Sequence, residues 1–480
     1  MACKRSLLSF ILFLSFFTDS LIKSQSVEWN WIKTAGEHSK CSAIGYSVCF
    51  DSKSNIYIAG NFHNAISFFN DTTATDSTKG DTCKISDLIS DTAIFSKGQV
   101  DIFIAKYDCT GKFIWAKSAG GKDLDNCSSI TTDNNDNIYI TGYFTGPAKF
   151  EDTTIISFGS KDAFIAKYDH TGKLIWIEQE GGRKYDTGQK IISDDKYLYL
   201  AGHYKDISEF GDTTLYASSG SPHIFISKYD TSGSLIWIRS AGNIDDMRGN
   251  KVNDIAIDRN KDIIITGAFT EESIFSNDTL TPVGNYDIFL TKYSNTGELL
   301  WIKQAGGIYM DEGYSVAIDE KNNIYAAGCF QDNAIFPDTV LPGGARNDIF
   351  IAKFNESGDM VWLNKIDGPH TDVVNSIAYS NNNIYMTGYF WELITLGDTT
   401  FTSRGKGDIF TVKYDTDGIL QWAEHSGGES YDDSKYVILD HSDNIYITGY
   451  FEEAASFGTD FYITKGGRTM FLCRIIEDSY

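Results

Sequence analysis

Apolar and polar positions alternate in short runs along the whole chain, and one stretch shows the pattern plainly. "YSVAID" (314–319) alternates and is β-branched, and "DEKNN" (319–323) follows as a polar turn. "NIYAAGCF" (323–330) is a second apolar run, and a longer connection carries "AIFPDTVL". "DIFIAKF" (348–354), the tight turn "NESG" and "MVWLNKI" (360–366) complete the unit. Aromatic and β-branched runs bounded by Asn, Asp and Gly predict strands, here named A, B, C and D in order. The turn clusters supply residues that tolerate a left-handed backbone. Helical periodicity is absent.

The unit recurs. Phe103, Phe164, Phe225, Phe289, Phe350, Phe410 and Phe471 form one column, at steps of 61, 61, 64, 61, 60 and 61 residues. Trp115, Trp176, Trp237, Trp301, Trp362 and Trp422 form a second, and Gly60, Gly142, Gly202, Gly267, Gly328, Gly388 and Gly449 a third. Seven copies of a four-stranded antiparallel unit predict an all-β fold, a seven-bladed β-propeller. A linear solenoid is the alternative. The ends favour the ring. Trp31 in "SVEWNWIKTAG" aligns with the strand D tryptophans, and Phe471 in "TMFLCRIIEDSY" aligns with strand C. The N-terminal strand is therefore expected to complete the C-terminal blade, which protects an otherwise bare edge.

The run D-x-F-I-A-K-Y-D-x-x-G-x-L-x-W, then G-G, then D-x-G-x-S-I-A-x-D-x-x-N-N-I-Y-I-T-G-Y-F resembles the SBBP repeat. That family is a seven-bladed β-propeller repeat of secreted, mostly bacterial proteins. The resemblance covers about residues 27–480 and implies the fold. It implies little about activity, because the family has no shared catalytic residues to carry over.

Composition adds a compartment and a charge. Lys4 and Arg5 precede an apolar stretch from Leu7 to Phe17, too short to span a bilayer but suited to a signal-peptide core. Residues 1–24 are expected to be removed, leaving 25–480 as one propeller in a secreted protein with no membrane span. The formal net charge is −24. Such acidity repels nucleic acid and anionic membranes, and leaves solubility or a basic partner as its uses. Eight cysteines fall to seven once Cys3 is removed, so one thiol is unpaired or bonds between chains.

Columns present in every copy are most simply needed by the blade. Lys106, Lys167, Lys228, Lys292, Lys353, Lys413 and Arg474 lie inside strand C. They read as cations paired locally, with an anion-binding ring as the other reading. Pairs such as Asp152-Thr153 and Asp338-Thr339 read as side-chain-stabilised turns. A further column precedes strand A: Asp125, Asp186, Asp311, Asp372 and Asp432. Asp245 or Asp246 is expected to fill the gap, and Ala43 stands in the first copy. These carboxylates either accept backbone N–H bonds in the D-to-A turn or ring the channel mouth as a ligand site, where Ca²⁺ is the one cofactor they would suit.

The first copy runs 84 residues from Trp31 to Trp115. Its surplus, about residues 74–96, lies in the B-to-C connection, on the rim that carries the D-to-A loops. Cys83 lies within it, and a disulfide to Cys41 or Cys127 is expected to pin it. No Ser/His/Asp order, phosphate loop or zinc spacing is present. The expected function is a non-catalytic scaffold, monomeric, binding a protein or glycan through its loop rim. The alternative is an enzyme, a quinoprotein-like dehydrogenase or a lyase or hydrolase, working at the carboxylate-lined mouth.

Overall fold

In a computed structural model, the described residues are 27–36, 40–68, 93–217, 221–243, 249–464 and 467–477. They form β-strands throughout, without a helix. Seven antiparallel sheets are arranged around an axis, each a meander in the order A-B-C-D. In the fifth blade these strands are Glu312–Ile318, Ile324–Gln331, Asn347–Phe354 and Met360–Ile366.

The polar turns form as their residues dictate. In the second blade Asp133 Oδ1 accepts from the amides of Asn135 and Asn137, both at 2.9 Å. That ties the A–B hairpin, with Asp136 at φ +60°. At the C–D turn Asp169 Oδ1 accepts from Thr171 N at 2.8 Å and Lys173 N at 3.1 Å. Gly172 there has φ +80°, and a Cβ on it would meet the Trp115 ring of the preceding blade at 3.0 Å. Glycine thus meets two demands at once, the turn and the seat for a neighbour's indole.

Closure follows the predicted route. Val27–Ala35 pairs antiparallel with Thr469–Glu477, Ala35 opposite Met470 and Val27 opposite Glu477. Ile58 and Phe62 of the first blade share one core with Tyr446, Met470 and Leu472 of the seventh. Ala43 N donates to Arg468 O at 2.8 Å across the seam.

The B-to-C connections are more ordered than the sequence suggests. Each folds into a small hairpin, such as Pro147–Phe150 with Thr153–Ile156, its Glu151-Asp152 tip at φ +49° for Glu151. The hairpin leaves its own blade and adds to the D strand of the blade before it: Ala148 lies opposite Gly121 and Phe150 opposite Ala119. Every blade's outer edge is thereby partly covered. In the first blade, Ala65–Ser67 pairs with Ala93–Phe95, and Phe68 bridges to Ala35 of the closing strand. The expected insertion of 74–96 therefore ends sooner, because Ala93–Phe95 belongs to the repeat; residues 69–92, Cys83 among them, lie outside the described residues.

Candidate functional site

The repeated polar columns belong to the wall. Lys167 Nζ donates to Thr231 O of the next blade's C–D turn at 3.0 Å, and Trp176 Nε1 donates to the same oxygen at 3.3 Å. Lys228 with Trp237 on Asn295 O, and Lys353 with Trp362 on Thr416 O, repeat the clamp. Lys292 instead pairs with Asp258 at 2.7 Å and Asp262 at 3.4 Å. Most of the column clamps one blade to the next, and Lys292 instead ties strand C to the A–B turn of its own blade, so each copy uses the cation to hold the wall together.

The aspartate column lies inside the wall rather than around the channel. Asp125, Asp186, Asp311, Asp372 and Asp432 are at most 1% exposed. Asp311 Oδ2 accepts from Gly307 N at 2.6 Å and Oδ1 from Gln331 N at 2.9 Å. One carboxylate thus staples the end of strand D, the start of strand A and the entry to the B–C hairpin. Asp125 does the same with Gly121 N and Thr145 N, and Asp432 with Gly428 N and Glu452 N. In the fourth blade the position is filled by Asn250, not by Asp245 or Asp246, which lie outside the described residues. Asn250 Oδ1 accepts from Thr270 N at 3.2 Å and its Nδ2 donates to Ser273 Oγ at 3.1 Å. Burial pushes the carboxyls of Asp125, Asp186 and Asp311 up to about 6, and those of Asp372 and Asp432 up to about 8.

The channel itself is built from a feature the sequence does not announce. Each strand A carries a β-bulge at the same point, and the extra residues are Tyr46, Ser128, Gln189, Asn253, Tyr314, Asn375 and Lys435. All seven line one cavity of about 220 Å³ on the axis. The backbone repeats sevenfold here while the side chains do not. The scaffold needs the bulge but not any one residue on it.

The residue after each bulge builds a floor. Ser129 Oγ accepts from Ile191 N, Asp254 Oδ2 from Val316 N, Ser315 Oγ from Ile377 N and Ser376 Oγ from Val437 N, at 3.0–3.3 Å. Each bond links one blade to the next. Three larger side chains fill the middle of this ring: Lys190 Nζ lies 3.5 Å from Asp254 Oδ1 and 4.0 Å from the Tyr436 ring centroid. Lys190 and Tyr436 come from the third and seventh blades, so their contact crosses the axis. The channel is blind.

Toward the D-to-A rim the cavity continues past Asn126, Thr187 and Tyr143. It opens into a groove of about 300 Å³ between the first and second blades, bordered by Ile44, Asn61, His63, Leu124, Asp125 and Arg468. Asp125 of the aspartate column thus borders this groove. The cations around this mouth have partners. Lys251 pairs with Glu312 at 3.0 Å, Arg468 with Glu452 at 3.2 Å, and Lys435 with Asp433. His203 is neutral: burial lowers its pKa to about 4, and its Nε2 accepts from Val252 N at 2.9 Å. No group of three or more His, Cys, Asp or Glu among the described residues could hold a metal ion.

Of the cysteines expected to pin the insertion, Cys127 is buried in strand A of the second blade with Sγ 3.7 Å from Ser129 O, and Cys41 is buried beside the seam. No helix among the described residues is long and apolar enough to cross a membrane.

Residues 114–146 match the SBBP family, described as a beta-propeller repeat. An uncharacterized WD repeat-containing protein of Acanthamoeba polyphaga mimivirus is 25% identical over 472 residues, covering 81% of this chain and 33% of that protein. A regulatory protein, FlaEY, of Caulobacter vibrioides is 21% identical over 363 residues, covering 69% of this chain and 37% of that protein. The chain spans about a third of the length of these curated relatives. Among solved structures, a Dyadobacter fermentans protein of unknown function aligns over 94% of this chain and 99% of its own, at 9% identity and a TM-score of 0.42. The PQQ-bound aldose sugar dehydrogenase of Streptomyces coelicolor aligns over 94% and 98%, at 10% identity and a TM-score of 0.36. Scores this low carry no argument about function. The chain is a seven-bladed β-propeller in which residues 114–146 match the SBBP repeat.

Proposed function

We infer that this propeller is a secreted, non-catalytic binding scaffold, which takes a protein or glycan ligand at the D-to-A rim and its channel mouth. One observation carries the reading. At the bulge, seven blades repeat the backbone and vary the side chain, over a blind cavity (Tyr46, Ser128, Gln189, Asn253, Tyr314, Asn375 and Lys435). Repetition of the clamps and staples assigns those residues to the fold, and leaves the bulge positions free to serve a ligand. Export rests on the charged and apolar pattern of residues 1–24, and N-terminal sequencing of secreted material is expected to start near residue 25.

The test compares the intact chain with Ser128→Trp, which fills the channel. Both are immobilised and probed with glycan arrays and extracellular proteins of the source organism. Ligand captured by the first and lost by the second supports the reading. Equal capture by both refutes the site, and turnover of the captured ligand refutes the non-catalytic role.

A further inference from the structure

We propose that the channel mouth binds the terminal residue of a neutral saccharide. The inference rests on the binding role argued above and narrows it to one ligand chemistry. Three observations converge on it.

The first is charge. Four cations on the channel axis and at its mouth are held by carboxylates, Lys190 with Asp254, Lys251 with Glu312, Lys435 with Asp433 and Arg468 with Glu452, while Lys161 is held over the Tyr143 ring. A charged ligand would have to displace one of these partners, whereas a neutral one leaves them intact.

The second is the free hydrogen-bonding inventory. Among the described residues, the Gln189 amide and the hydroxyls of Tyr46 and Tyr143 make no side-chain hydrogen bond, although all three border the same cavity. Asn253 and Asn375 use their Nδ2 groups on Glu312, Gly313 O, Asp433 and Ser434 O, which leaves each Oδ1 as an acceptor. The set offers neutral donors and acceptors side by side. Sugar hydroxyls, which both donate and accept, match it. The phenol rings of Tyr46 and Tyr314 supply apolar faces for the C–H face of a pyranose.

The third is shape. The Lys190, Asp254 and Tyr436 floor closes the channel, so a polymer cannot thread it. Only an end can enter, and the groove between the first and second blades gives the following residues a path outward.

The test uses the full chain and titration calorimetry. The probes are neutral hexoses, N-acetylhexosamines and their oligomers, with uronates and sulfated sugars as the charged counterparts. At least one neutral probe is expected to bind. Gln189→Ala is expected to weaken it about tenfold through the loss of two hydrogen bonds, and Ser128→Trp to abolish it, with thermal melts unchanged in both. Binding of charged sugars alone, of no saccharide, or of a neutral one unaffected by Ser128→Trp overturns the proposal. A protein ligand lost in Ser128→Trp, with no saccharide bound, would overturn the sugar and keep the binding role. Channel filling without effect on any ligand would overturn both.

Discussion

The buried aspartate column makes a prediction about acid. Asp311 has a folded pKa near 6 against 3.8 for the free side chain, and burial is the first cause. A raised folded pKa means that the folded state holds the extra proton. Stability is therefore greatest at low pH and is lost as pH rises through the folded value. Between pH 5 and pH 7.5, one such carboxyl changes stability by about 1.4 kcal/mol. Asp125 and Asp186 act alike, and Asp372 and Asp432, near 8, contribute about 3 kcal/mol each. His203 opposes them. Its folded pKa near 4 lies below 6.5, so acidification to pH 5 costs about 2 kcal/mol there. Turn aspartates such as Asp169, where partial desolvation is outweighed by the Thr171 hydroxyl and the Lys173 and Thr171 amides so that the carboxyl lies below the usual range, lose their contribution only below about pH 4, outside the window. The net expectation is a protein several kcal/mol more stable at pH 5 than at pH 7.5. Urea unfolding followed by tryptophan fluorescence at pH 7.5, 6 and 5 measures it. Asp311→Asn should flatten the slope by about 1.4 kcal/mol. A midpoint that stays level or falls on acidification would refute the reasoning.

Lys292→Met should destabilise the chain by about 3–5 kcal/mol, because Asp258, 2.7 Å away and buried, is left without its cation; a urea midpoint equal to that of the parent would count against the clamp. Deleting Val27–Ala35 should leave the Thr469–Glu477 strand as a bare edge and convert the chain to aggregates, read by size-exclusion chromatography. Non-reducing peptide mapping should join Cys83 to Cys41 rather than to Cys127, whose sulfur is enclosed against Ser129 O; three free thiols would exclude the pin.

The blades were legible because every copy must solve the same problem. Trp176 and Lys167 recur at fixed steps since each must reach one carbonyl of the next blade, and Gly172 recurs since an indole sits on it. Closure could be read from Trp31 and Phe471, which align with the strand D and strand C columns, and the pairing of Val27–Ala35 with Thr469–Glu477 joins them in one blade. The aspartate column was visible too, but its direction was not. Whether Asp311 faces a channel or a turn depends on the amides of Gly307 and Gln331, which the fold brings together. Asn250 escaped notice because an amide in place of a carboxylate breaks the pattern of residue type while keeping its geometry.

The amino-acid sequence by itself determined seven blades, their strands, their turns and their clasp, since these rest on contacts between neighbours in one repeat or the next. Only the tertiary structure decided what lines the axis. Tyr46, Gln189, Tyr314 and Lys435 share no motif and lie far apart along the chain. They meet because a bulge turns one residue of each strand A inward and the ring gathers all seven around one cavity.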